Sequence, residues 1–363
     1  MASTPWDATA EKPREDQRDL LYQSRKWVVD HGRVQARDRM AKALAQRDES
    51  GGLLESRMMA ANSDKALVFP DSLHTIPMEQ RKRIGVFFVL GLDEEGGRAG
   101  PIIQKASVHM CQLGFRAKVI AGTHRKTAQE NASVIAAELK EILPHVDKAV
   151  LLGFSRGSTD IVHFWLGKSR DIPVHDLKKI RLWVNFAGVI RGSLFARWVA
   201  TGKDPLAWGA RGILNAKSRC PRASMLDVAS IAYDRWAAPD AKFPAAVKRS
   251  IHVINFVVIP DGPDGWPAHD PYNNFLTKKA SSSGPVMGPC DGMVESAAAI
   301  LPHHAGMKQS IIRVRGEHLI LSGQYLNGNQ VSSQYHQGSR ARLDSGGQLM
   351  DDFFRAMPKS LLK

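Results

Sequence analysis

Cysteine is scarce in this 363-residue chain, limited to Cys111, Cys220 and Cys290. The three share no zinc-type spacing, and any disulfide scheme leaves one unpaired, so a reduced compartment is expected. Long apolar runs are lacking too. No stretch reaches the ~18 uninterrupted apolar residues of a membrane span, and the opening "MASTPWDATAEKPREDQRD" has no apolar core of the length a secretory signal needs. A cytoplasmic location is the expectation, with signal-independent export left open. No internal repeat is visible.

Negative charge is the poorer sign: 50 Lys and Arg stand against 36 Asp and Glu, a formal charge of +14. Such a field favours anionic partners, an acidic lipid surface or a phosphorylated or carboxylated substrate among them. The charge is dispersed. "RKR" at 81–83 and "HRK" at 124–126 are short and carry no aromatic-and-basic pattern of an RNA-binding sheet, so nucleic acid is disfavoured as a partner. The sequence leaves the oligomeric state undetermined.

With 43% hydrophobic residues the chain can bury a large core. Residues 1–82 are polar, charged and helix-permissive, with an apolar stripe at Leu20, Leu21, Trp27, Val28 and Val29, and are expected to form an N-terminal helical extension. From residue 83 onward strands alternate with helices. "RIGVFFVLGL", "RAKVIAG", "KAVLLGF", "IRLWVNFAGV", "SIHVINFVVIPDG" and "SIIRV" read as buried strands. Between them "PIIQKASVHMCQLGF" reads as a helix closed by Gly114, and "TAQENASVIAAELKEIL" as a helix with Thr127 and Glu130 at capping-box spacing. Strands separated by helices imply a parallel sheet wound on both faces. The alternation breaks at about 190–249, read as an inserted cap whose Trp198, Trp208 and Trp236 are taken mainly as core.

"KAVLLGFSRGSTDIVHFW" sets Ser155 between two glycines, where an apolar strand gives way to a helical spacing. A Gly-x-Ser-x-Gly match arises by chance on the order of 0.2 times per chain of this composition, so context must carry it. The context wanted is a strand before, a helix after, and then an acid and a histidine in that order. A serine hydroxyl becomes a useful nucleophile only when a neutral imidazole, oriented by a carboxylate, accepts its proton. Of the thirteen histidines, His318 sits in "RGEHLIL", directly after the last apolar run. His163 falls in a helix and His252 in a strand, while His303 and His304 have no third metal ligand at recognisable spacing. Two acids compete: Asp291 in "CDGMV", 27 residues before His318, and Asp261 at the end of "INFVVIPDG", 57 before it. Asp291 also suits the cap of a helix over 292–300.

The order of "VLGL", "GFSRG", "CDGMV" and "RGEHLIL" resembles the α/β-hydrolase superfamily over about residues 84–330. The resemblance implies a serine hydrolase of lipase, phospholipase or esterase type, with Ser155, Asp291 and His318 as the triad and Asp261 as the alternative acid. It further implies an oxyanion hole formed by the backbone N–H of Arg156 and by that of Leu92 or Asp93. "GLDEEGGRAGP" there has no His-Gly-Gly-Gly pattern, and it lacks the Gly-Lys-Ser/Thr ending of a phosphate loop. The substrate implied is an ester or acyl-containing small molecule or lipid, with no cofactor and no metal. Amide or thioester cleavage by the same triad, or a non-catalytic binding protein for an anionic partner, are the alternatives.

Overall fold

The computed structural model describes residues 19–91, 99–120, 125–218, 222–229, 245–268, 271–282, 286–302, 305–316, 318 and 346–363. Among the described residues six strands form one sheet: β1 (Ile84–Val89), β2 (Arg116–Ile120), β3 (Lys148–Phe154), β4 (Ile180–Phe186), β5 (His252–Pro260) and β6 (Lys308–Gly316). All pairings are parallel, in the order β2-β1-β3-β4-β5-β6. Every residue of β1 is buried, as expected of a strand covered on both faces. Edge strand β2, by contrast, alternates exposed and half-buried positions over Arg116–Val119 before the buried Ile120. The six apolar runs of the sequence are these six strands.

Before β1 come α1 (Leu20–His31), α2 (Arg33–Arg47), α3 (Leu53–Ser63) and the short α4 (Met78–Arg81). The crossovers that follow are α5 (Ala99–Gln112), α6 (Ala128–Ile142), α7 (Arg156–His163) and α8 (Val174–Leu177). Thr127 and Glu130 form the expected capping box on α6. After β4 lie α9 (Leu194–Thr201), α10 (Pro205–Ser218), α11 (Arg222–Ala229) and α12 (Ala245–Lys248); α13 (Pro271–Ser282) follows β5, and α14 (Gly346–Ala356) follows β6, ahead of a 3-10 turn at Lys359–Leu362.

The sheet's two faces bury different partners. On one, Met58 of α3, Met110 of α5 and Phe353 of α14 pack on Phe88, Leu152 and Phe256. Phe154, Phe186 and Phe256 of three adjacent strands stack there with ring centroids 4.7 and 4.5 Å apart. On the other, Ile135 and Leu139 of α6 and Ile161 of α7 cover Phe87, Leu151 and Trp183, while Leu20, Leu21, Met40 and Leu44 of α1 and α2 cover Val257, Ile259 and Ile311. Each such side chain contributes about 1.5–3 kcal/mol of burial. Val29, placed in the apolar stripe by sequence, is 68% exposed. The stripe it was read into is carried instead by Leu20, Leu21 and half-buried Trp27.

The helices after β4 enclose a smaller apolar cluster with Phe195, Trp198, Val199, Met225 and Trp266. Trp198 is core, as read, but Trp208 is 60% exposed, and Trp236 lies outside the described residues. Among the described residues no helix is long and apolar enough to cross a membrane.

Candidate active site

β1 leads through α5 to β2 on one side, and β2 returns through α6 to β3 on the other side of β1, so the strand order reverses between β1 and β3. Open parallel sheets leave a crevice at the carboxyl ends of the strands at such a point. Ser155 stands there, between β3 and α7.

Its backbone lies at φ 48° and ψ −117°, a conformation that costs a non-glycine residue on the order of 1–3 kcal/mol. The two flanking glycines are explained by what a Cβ would meet. At Gly157 it would lie 2.2 Å from the Val89 carbonyl oxygen, because the first turn of α7 presses on the end of β1. At Gly153 it would lie 2.7 Å from Ser158 Oγ. The turn is held by Ser155 N–H donating to the Phe186 carbonyl at 2.9 Å, and by Val189 N–H donating to the Ser155 carbonyl at 3.1 Å.

Ser155 Oγ lies 2.7 Å from His318 Nε2, and His318 Nδ1 lies 2.7 Å from Asp291 Oδ2. The other carboxylate oxygen of Asp291 accepts from the amides of Met293 at 2.9 Å and Val294 at 2.7 Å. The His318 amide donates to the Asp291 carbonyl at 2.8 Å, so main chain as well as side chain joins the two residues. Both are buried, Asp291 at 3% and His318 at 6% exposure. Asp261 turns elsewhere: its Oδ1 accepts from the Ala268 amide at 2.9 Å.

The helix expected over 292–300 does not form. Gly292 at φ +99° turns the chain, Glu295 is extended, and only Ser296–Ala299 make a 3-10 turn. Asp291 therefore caps a tight loop and not a helix. The loop closes on itself through Asp291 N–H to the Val294 carbonyl at 3.0 Å and Ser296 N–H to the Pro289 carbonyl at 2.8 Å. Neighbouring Cys290 is fully enclosed, and burial pushes its thiol up to about 12, which makes it a poor nucleophile.

As the first residue of α7, Arg156 presents an N–H that has no acceptor within its own helix. Leu90 and Gly91 run beside it: a Cβ at Gly91 would lie 3.9 Å from the Arg156 nitrogen and 3.5 Å from Ser155 Cβ. Leu92 and Asp93, the other oxyanion candidates, lie outside the described residues. The Arg156 side chain runs inward, donating from Nη2 to the Lys126 carbonyl. Its Nε sits 3.8 Å from Asp160 Oδ1, and Asn131 Nδ2 donates to Asp160 Oδ2 at 2.9 Å. Burial pushes the Asp160 carboxyl up to about 7, against the pull of Arg156 and Asn131. Sequence reading missed this pair, although its i, i+4 spacing on a helix was visible.

A cavity of about 70 Å³ opens on Ser155 and His318, lined by Val189, Phe195, Val199, Met225, Val228 and Met293 among others. The wall is apolar and comes largely from α9, α11 and the Asp291 loop. Among the described residues no three His, Cys, Asp or Glu side chains are grouped to hold a metal ion; His303 and His304 lie outside them.

No family model matches the chain, and no curated protein matches it either. Among solved structures it is similar to the mature form of a lipase from Bacillus licheniformis, at 15% identity and a TM-score of 0.44, over 67% of this chain and 87% of that one. A metagenomic carboxyl esterase is similar at 18% identity and a TM-score of 0.47, over 76% and 75%. A phospholipase from Legionella pneumophila is similar at 12% identity and a TM-score of 0.36, over 60% of this chain and 45% of its own. With its all-parallel sheet, the helices on both faces and the strained serine turn at the end of β3, the chain has an α/β-hydrolase-like fold.

Proposed function

We propose that this protein is a serine hydrolase that cleaves a carboxylic ester through an acyl-Ser155 intermediate. The observation that carries the reading is the continuous relay from Ser155 Oγ to His318 Nε2 and from His318 Nδ1 to Asp291 Oδ2, each step 2.7 Å. With Nδ1 protonated and donating to Asp291, the lone pair of Nε2 faces the serine hydroxyl, the tautomer a general base requires. Asp291 is itself fixed by two amides, so the imidazole has one preferred orientation.

In the reaction His318 takes the hydroxyl proton as Oγ attacks the ester carbonyl carbon. The oxyanion that forms accepts from the Arg156 N–H. The imidazolium, stabilised by Asp291, then gives its proton to the leaving alkoxide and the alcohol departs. Water repeats the sequence on the acyl-enzyme: His318 takes its proton, hydroxide adds to the acyl carbon, and the proton returns to Ser155 as the acid leaves.

Ser155→Ala tests this directly. Hydrolysis of p-nitrophenyl acetate is expected to fall by about 10⁶ in kcat with the fold retained, and a fluorophosphonate probe should label the wild type at Ser155 and leave the variant unlabelled. Activity within about tenfold of wild type, at unchanged thermal stability, would overturn the reading, since removal of a triad nucleophile costs far more.

A further inference from the structure

We propose that the N-terminal helices α1 and α2 set the position of the acid in the site, with Arg25 and Arg33 as positioning residues for Asp291; the inference rests on the triad reading above. Asp291 sits in the loop Gly288–Ser296, which has no helix or strand to stiffen it. The ends of that loop are drawn together by Glu295, whose Oε1 accepts from the Gly288 amide at 2.7 Å. Glu295 is only 2% exposed. A carboxylate out of water is stable only when paired and hydrogen-bonded, and its partner comes from the far end of the chain. Arg25 of α1 donates from Nε to Oε1 at 2.9 Å and from Nη2 to Oε2 at 2.7 Å. Such a two-point fork fixes direction as well as distance.

Arg33 of α2 grips the same loop from its entry. Its Nη1 donates to the Gly288 carbonyl at 3.1 Å and its Nη2 to the Met287 carbonyl at 3.0 Å, while the guanidinium stacks 3.7 Å from the centre of the Trp266 ring. Between these grips there is no slack: a Cβ at Gly288 would lie 2.5 Å from Ser24 Oγ of α1. α1 is anchored in turn. Asp19 caps it through the Leu21 amide at 3.1 Å and makes a buried two-point pair with Arg191 at 2.5 and 2.6 Å. The Arg191 amide donates to the Ala298 carbonyl at 2.9 Å, just past the exit of the Asp291 loop. Because the His318 amide hangs on the Asp291 carbonyl, a shift of the loop moves acid and base together relative to Ser155.

The test compares Arg25→Gln, Arg25→Lys and Glu295→Gln with Arg57→Gln, which breaks another two-point pair, Arg57 with Asp71 at 3.1 and 2.7 Å, made from α3 and away from the acid loop. With p-nitrophenyl acetate, Arg25→Gln and Glu295→Gln are expected to lower kcat and the rate of fluorophosphonate labelling by about 10- to 100-fold, the cost of small misplacements in a site. KM should stay within about twofold, and Arg25→Lys should recover part of the loss. Arg57→Gln should keep kcat within about twofold at a comparable fall in thermal stability. If Arg25→Gln does not fold, Arg25→Lys and Glu295→Gln carry the same comparison. Wild-type kcat in the folded Arg25 and Glu295 variants, with Ser155→Ala inactive, would overturn this inference alone. A kcat loss in Arg57→Gln equal to theirs would do so too. An active Ser155→Ala would overturn the hydrolase reading, and the inference with it.

Discussion

The Ser155 end and the Asp291 end of the site are held in different ways. Ser155 is fixed by backbone: a strand, a helix and two bare glycines within five residues force one conformation, at φ 48°. Asp291 is held by the amides of its own tight loop, and that loop is gripped from outside by side chains, through Glu295, Arg25 and Arg33. A strained turn can be encoded locally because its strain is offset by the sheet and helix on either side. A loop with no regular structure needs partners, and here they come from helices that precede the sheet.

The largest effect that separates the two ends, short of removing Ser155, is loss of the acid. Asp291→Asn is expected to lower kcat by about 10⁴, since the ring would then be offered a donor where it needs an acceptor. Asp261→Asn, whose parent carboxylate serves the Ala268 amide, should keep kcat within about threefold, as residues outside the relay do. Steady-state kinetics on one ester decide between them. A loss of thousands in Asp261→Asn with Asp291→Asn active would transfer the role.

The same contrast explains how far the site was legible in sequence. All six strands were readable, because a parallel strand buried on both faces is a short unbroken apolar run. The serine turn was readable because its cause, glycine on both sides of Ser155, is local. Asp291 and His318 could be ordered along the chain, but nothing in "CDGMVESAAAILP" showed that the segment would fold as a loop around a buried Glu295 and not as a helix. Its helix-permissive composition was overridden by Gly292 at φ +99° and by the bonds that Glu295 makes. Nor did Arg25, one basic residue among 50, carry any mark of its partner 270 positions away.

A smaller effect tests the backbone end. In Gly157→Ala the new methyl meets the Val89 carbonyl oxygen at 2.2 Å and the Leu90 oxygen at 2.6 Å, both main chain and neither able to swing aside. The expected loss is at least about 3 kcal/mol of unfolding free energy, read from urea denaturation. A variant of wild-type stability would mean that the elbow gives more easily than its geometry implies.

Beneath the elbow, Asp160 should give this end a pH dependence of its own. Its folded value, raised by burial to about 7, lies above the unfolded 3.8, so its contribution is fully present below the unfolded value and is lost as pH rises through the folded one. Between pH 5 and 8 the wild type should therefore lose roughly 2 kcal/mol that Asp160→Asn does not lose. Urea unfolding of both proteins at the two pH values gives the difference. Parallel pH curves would show that Arg156 keeps Asp160 charged throughout.

The smallest effect concerns α9 and α11, whose Phe195, Val199, Met225 and Val228 line the wall of the cavity at Ser155. The cavity at Ser155 is about 70 Å³, roughly half the ~150 Å³ of an apolar cavity that admits benzene. If the proposed reaction places the acyl chain here, the space would take about two to four carbons, each methylene contributing up to about 0.8 kcal/mol until the wall is met. p-Nitrophenyl butyrate should therefore be cleaved about tenfold faster, by kcat/KM, than the dodecanoate ester, whose chain would have to displace α9 or α11. Met225, on α11 in the cavity wall, should set that limit: Met225→Ala is expected to move the preferred chain length upward while leaving the acetate rate within about threefold. A wild-type preference for dodecanoate, or no shift in the variant, would place the acyl chain elsewhere and leave this cavity to the alcohol.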